Sequence, residues 1–315
     1  TVIYHYNPAL PLVSVELVFK SGSAANPVDS PGLASFTAQM LDEGTLSRSS
    51  MQIADQVAQL GASLSAGASI DASSAQVMSL KKNIDQAVDL LADVVLNPSF
   101  PLDEIERQRS SRLAELRQQR ENAPAIASRV AAAALFGDKH AYGYLELGTE
   151  SANKATQRDD LIAFWKKNYV PSNAALVVSG AMTGDEVKAM AQAKFGQWQG
   201  AASPIASLGK PETTAARLVL VDQPDAPQTA LQLEAIGVER KSLDYAALQV
   251  LNGAFGGLFT SRLNTNLREQ KGYNYGVGSG FQFQRVSGTF TISGSIRTDV
   301  TVPALKDIFK EIKAI

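Results

Sequence analysis

Val13, Val15, Leu17 and Phe19 alternate with Ser14, Glu16 and Val18, and this period of two predicts a strand with one buried face. Val2-Ile3-Tyr4 predicts a short strand ahead of it, so the chain enters structure at once, as expected where any leader or first turn is already gone. Residues 22–31, rich in Gly, Ser, Asn and Pro, predict a loop. Apolar positions then recur at helical spacing over 32–41, 51–60 and 84–96, the last closed by Asn97-Pro98. Small and β-branched residues over 63–80 predict a hairpin. Residues 102–120 form a long charged helix with Ile105, Leu113 and Leu116 on its apolar side, and 125–135 and 159–168 are further helices. Residues 174–179 read as a buried strand, and 185–195 as a helix capped by Thr183 or Gly184. Residues 200–215 carry Ala, Ser, Pro, Gly and Lys without an apolar period, the pattern of a linker.

The order of elements then begins again. Residues 218–221 match the opening strand and 229–235 match 12–18. Residues 243–255 match the first helix, 273–283 with 289–296 match the hairpin, and 302–312 match the helix at 84–96. A repeat spacing of roughly 210 residues is too long for a solenoid unit and implies two domains built on one plan. The expected fold class is α+β, with a first domain over 1–205 and a second over 216–315. Each is a mainly antiparallel sheet with helices on one face. The second copy has no counterpart of 102–195, which predicts a chain shortened by on the order of a hundred residues.

Composition narrows the chemistry. The chain has 315 residues, enough for two domains, and ordinary fractions of hydrophobic (45%) and charged (19%) residues. A net charge of -2 argues against the basic surface that nucleic acid requires, and no apolar run nears the roughly 20 residues that span a bilayer. The absence of cysteine removes thiolate metal sites, thiol nucleophiles and disulfides. Only His5 and His140 are present, neither with a partner at ligand spacing, so the serines also lack a base. Gly276-Val-Gly278-Ser-Gly280 lies inside a strand pattern with no helix after it, which argues against a phosphate loop.

Two segments carry a family resemblance. Gly32-Leu-Ala-Ser-Phe-Thr-Ala-Gln-Met-Leu-Asp-Glu-Gly-Thr45 resembles the zinc-binding helix of pitrilysin and mitochondrial-processing-peptidase-type metallopeptidases. That motif is His-x-x-Glu-His between the same Gly-Leu-Ala start and Gly-Thr finish. Two histidines four apart share one helical face and one metal, and the glutamate serves as base for the bound water. Here the motif positions are Ser35, Ala38 and Gln39: a hydroxyl and an amide, poor zinc ligands, and a methyl that cannot titrate. Glu115 follows Gln39 by 76 positions (115 minus 39), the spacing that the resemblance assigns to the third ligand, and Gln108 stands where a supporting acid is usual. The plain reading of Glu115 is a solvated or Arg-paired helix residue. The second segment, from Gly256 to Tyr275, resembles the Arg/Tyr element that faces the metal across the substrate, with Arg268 and Tyr275 at its two named positions. The plain reading of that pair is an arginine bracing a helix end and a tyrosine packed in the sheet.

The resemblance implies a zinc-free, complementary subunit, inactive alone. It would pair as a heterodimer with a zinc-bearing His-x-x-Glu-His subunit and close over an unfolded peptide. It would itself hold no metal and would lend Arg268 and Tyr275 in trans. The same fold also serves non-catalytic scaffolds, such as core subunits of the respiratory bc1 complex, and could serve a homodimeric peptide-binding protein. The periplasm is the expected compartment, on family habit and the lack of cysteine.

Overall fold

The computed structural model describes residues 1–137, 140–201, 208–211, 215–224 and 226–315. The linker expected over 200–215 therefore lies partly outside the described residues. Contacts gather the chain into two units: Thr1–Leu116 with Glu146–Ser207, and Arg117–Leu145 with Leu208–Ile315.

The first unit holds a five-stranded sheet of β1 (Val2–Tyr6), β2 (Leu12–Phe19), β3 (Ser63–Ala68), β4 (Ser73–Leu80) and β5 (Ala174–Gly180), in the order β1-β5-β2-β4-β3. Only β1 and β5 run parallel; the other ladders are antiparallel. The alternation in β2 is realised: Val13, Val15, Leu17 and Phe19 are buried, while Ser14, Glu16 and Val18 point to the open face. Full burial of side chains of this size stabilises by about 1.5–3 kcal/mol each. The covering layer comes from α1 (Leu33–Gln39), α3 (Ile84–Leu96) and α7 (Arg158–Asn168), whose Phe36, Leu91, Val95 and Leu161 join the strand residues in one core.

Local signals set the helix ends. Ser49 and Gln52 close a capping box at the start of α2 (Ser50–Gln59), and Thr183 and Glu186 do the same for α8 (Gly184–Phe195). α4 (Leu102–Arg120) is the long charged helix, and α6 (Glu150–Ala155), which no apolar period announces, is capped by Thr149.

In the second unit, α5 (Ala123–Phe136) lies against β6 (Gln228–Gly237). β6 pairs with β8 (Gly288–Arg297), which pairs with β7 (Val277–Gln282), all antiparallel. The order β6-β8-β7 repeats β2-β4-β3, the structural form of the internal repeat. α9 (Tyr245–Asn252) ends in a π-helical turn, Gly253–Gly257. α10 (Arg262–Asn264) runs into another, Thr265–Gln270, and α11 (Thr301–Lys313) follows the sheet. Phe255, Leu263, Leu267, Ile292, Ile296 and Ile308 form the second core.

The architecture is thus mixed α and β in two sheets on one repeated plan. One expected element is absent: residues 218–221 form no strand, and Leu218 and Leu220 are 86% and 84% exposed. β1, their expected counterpart, owes its ladder to β5. Among the described residues no strand of the second unit takes that place beside β6, so the segment has nothing to pair with.

Candidate functional site

The short helix α1 begins at Gly32, whose φ of 100° is a left-handed conformation that favours glycine. It presents Ser35 and Gln39, four apart, on one face toward α4. Ser35 and Ala38 are buried and Gln39 is half-buried. The group that meets this face is Arg112 of α4, only 2% exposed. Its Nη1 donates to Gln39 Oε1 at 2.5 Å, and its Nη2 to Ser35 Oγ at 3.0 Å. Nη2 also reaches the carbonyls of Gly32 and Leu147, each at 3.1 Å, and Nε donates to Asn153 Oδ1 at 2.6 Å. Asn153 donates in turn to the Leu147 carbonyl at 2.8 Å and to the Thr149 carbonyl at 2.7 Å. Ser35 Oγ donates to the Glu146 carbonyl at 2.6 Å. The guanidinium thus ties α1, α4 and the segment around 146–153 together, and it lies 4.9 Å from the Phe36 ring centroid.

A guanidinium buried with neutral acceptors is electrostatically costly. Burial pulls Arg112 down to about 10, with Glu115 acting in the opposite direction, so it stays cationic at neutral pH. Glu115 itself is exposed on α4, less than one turn beyond Arg112. Gln108 donates to Glu43 Oε1, and Arg107 pairs with Glu43 and Glu104, a second tie between α4 and the end of the α1 segment.

These residues do not suit Zn²⁺. Ser35 and Gln39 are neutral oxygen donors already engaged by a cation, and Ala38 offers no base. Among the described residues, no three His, Asp or Glu side chains gather as a metal site. His5 lies on β1; His140 accepts from the Tyr142 amide at 3.1 Å, contacts the Gly209 carbonyl at 3.1 Å and stacks on Phe136.

Arg112 is the functional residue that no motif in the sequence singles out. A signal exists: Ile105, Arg112 and Leu116 are spaced by seven and four, so the arginine interrupts the buried seam of its own helix.

In the second unit, Arg268 lies in the π-helical turn Thr265–Gln270. Its guanidinium carbon sits 4.0 Å from the Phe259 ring centroid, and Nη1 pairs with Glu269 at 2.7 Å. Tyr275 follows in the loop before β7 and is 90% exposed, not packed in the sheet. Phe259 is also exposed, at 65%. The element therefore offers a stacked arginine and an open phenol.

Comparison with known proteins matches residues 1–145 to the family model "Insulinase (Peptidase family M16)" and residues 155–315 to "Peptidase M16 inactive domain". An uncharacterized zinc protease of Mycobacterium leprae is 30% identical over 92% of this chain, which spans 66% of that protein. A Helicobacter pylori protein named as a non-peptidase homolog, YmxG, is 26% identical over 98% of this chain and is spanned to 72%. A crystal structure of a peptidase M16 inactive domain from Pseudomonas fluorescens superposes with a TM-score of 0.94 at 29% identity, covering 99% of this chain and 76% of that one.

Proposed function

The chain belongs to peptidase family M16, and from that premise we propose that it is the zinc-free complementary subunit of a heterodimeric zinc metallopeptidase acting on unfolded peptides. The observation that carries this reading is the α1–α4 site, where the positions that would need to be metal ligands instead accept from a guanidinium. A partner of the same family would bring the His-x-x-Glu-His helix and its zinc, with the peptide added as an extended strand to a sheet edge of that partner.

The contribution of this chain is then Arg268 and Tyr275. The planar Arg268 guanidinium can donate twice to a peptide carbonyl or carboxylate. Stacking on Phe259 and pairing with Glu269 restrict its rotamers before substrate arrives. The exposed Tyr275 phenol can donate to the carbonyl oxygen as it gains charge. Under this reading the chain alone would lack the metal and the base that generate a nucleophile. The same reading puts the complex in the periplasm.

Tyr275→Phe in the assembled complex is expected to cut turnover by about 10²–10³ while leaving assembly intact. An unchanged rate would remove Tyr275 from the reaction. A second reading, a non-catalytic scaffold or peptide-binding protein on the same fold, draws on the name of the Helicobacter relative. Under it, peptide binding or assembly survives and no zinc-bearing subunit co-purifies.

A further inference from the structure

The lost metal motif accounts for a missing ligand set, but not for what fills the space between α1 and α4. We infer that Arg112 is a resident cation in the position of the metal, and that it bars zinc even from a restored ligand set.

The geometry is specific. The two Nη atoms of one guanidinium touch Ser35 at 3.0 Å and Gln39 at 2.5 Å. Any ion bridging residues four apart on this helix face would need the volume that the guanidinium takes. Further bonds to Gly32, Leu147 and Asn153 hold the head group in this place. Its cross-linking of two helices and a loop is the structural work that a coordinated ion would otherwise do. The charge of Glu115, which the resemblance gives as the third ligand, favours the cationic guanidinium already in place. Four residues, not three, therefore separate this site from a metal centre, and the fourth is Arg112.

The test measures zinc affinity of the full chain by competition with a chromophoric chelator. The ligand graft Ser35→His/Ala38→Glu/Gln39→His is compared with the same graft carrying Arg112→Ala. The graft alone is expected to bind zinc no better than the unmodified chain, and the fourth substitution to raise affinity by about 100-fold. Stoichiometric zinc in the graft that retains Arg112 overturns the inference, as does an equal affinity in both. If the grafts do not fold, the single variant Arg112→Ala supplies the readout through its refolding yield. Guanidinium ion at millimolar concentration should raise that yield, whereas an equal concentration of sodium should not, and it should leave the unmodified chain unaffected. The same response to both ions, or none, overturns the inference by that route. Because both measurements concern this chain alone, they can fail while the complementary-subunit reading stands, and the converse also holds.

Discussion

Arg112→Met removes every guanidinium bond while roughly keeping side-chain volume, so it isolates the polar network from cavity effects. Not all the acceptors are orphaned equally. The Leu147 carbonyl keeps the Asn153 amide and the Gly32 carbonyl keeps the Phe36 N–H, while half-buried Gln39 can turn to water. Asn153 Oδ1, held at 2.6 Å, loses its charged donor inside a residue only 2% exposed. One orphaned buried acceptor costs about 1–3 kcal/mol, and with the tie between two helices and a loop also lost the total is about 3 kcal/mol, the upper end of that range. For a unit of this size that corresponds to a fall of roughly 6–12 °C in Tm. Both tryptophans, Trp165 and Trp198, pack against the first core, so their fluorescence during urea unfolding reports this unit. A loss below about 1 kcal/mol, the worth of an exposed ion pair, would refute the view that the guanidinium is a structural keystone of α1 and α4.

Asp93 accepts from Thr45, Asn97, Arg48 and Ser47; burial opposes its ionisation, but these bonds outweigh it and hold the carboxyl below the usual range. Its stabilising contribution is therefore present above the unfolded value of about 3.9 and fades as pH falls through the lower folded value. Asp93→Asn should lower stability at pH 7 and flatten the acid limb of a stability–pH curve below about pH 4; an unchanged limb would contradict this. Gly148 adopts φ 72°, and a Cβ there would collide with the Pro31 carbonyl and the Gly32 amide. Gly148→Ala should cost at least 1–2 kcal/mol and loosen the Leu147 carbonyl from Arg112, seen as faster amide exchange around residues 146–153. An unaltered exchange pattern would show that the loop is held by something else.

Much of the fold is legible locally. The alternation of β2, the capping boxes of α2 and α8 and the hairpin of β3 and β4 each follow from neighbours in sequence. The degenerate motif is legible too, because Ser35, Ala38 and Gln39 lie in flanks that keep their glycines. Arg112 is not legible from charge alone. Its helix carries many charged residues, and only partners some 35 to 80 positions away decide which of them is buried. Residues 218–221 fail for the converse reason: their pattern suits a strand, but a ladder needs a neighbour, and none forms beside them among the described residues.

The complementary, zinc-free role is most directly tested by peptide hydrolysis and bound zinc measured on one purified sample of the chain, alone and after mixing with a zinc-bearing family member from the same cell. No hydrolysis and no stoichiometric zinc are expected of the chain alone, and activity is expected of the mixture. Zinc-dependent hydrolysis by this chain alone would contradict it.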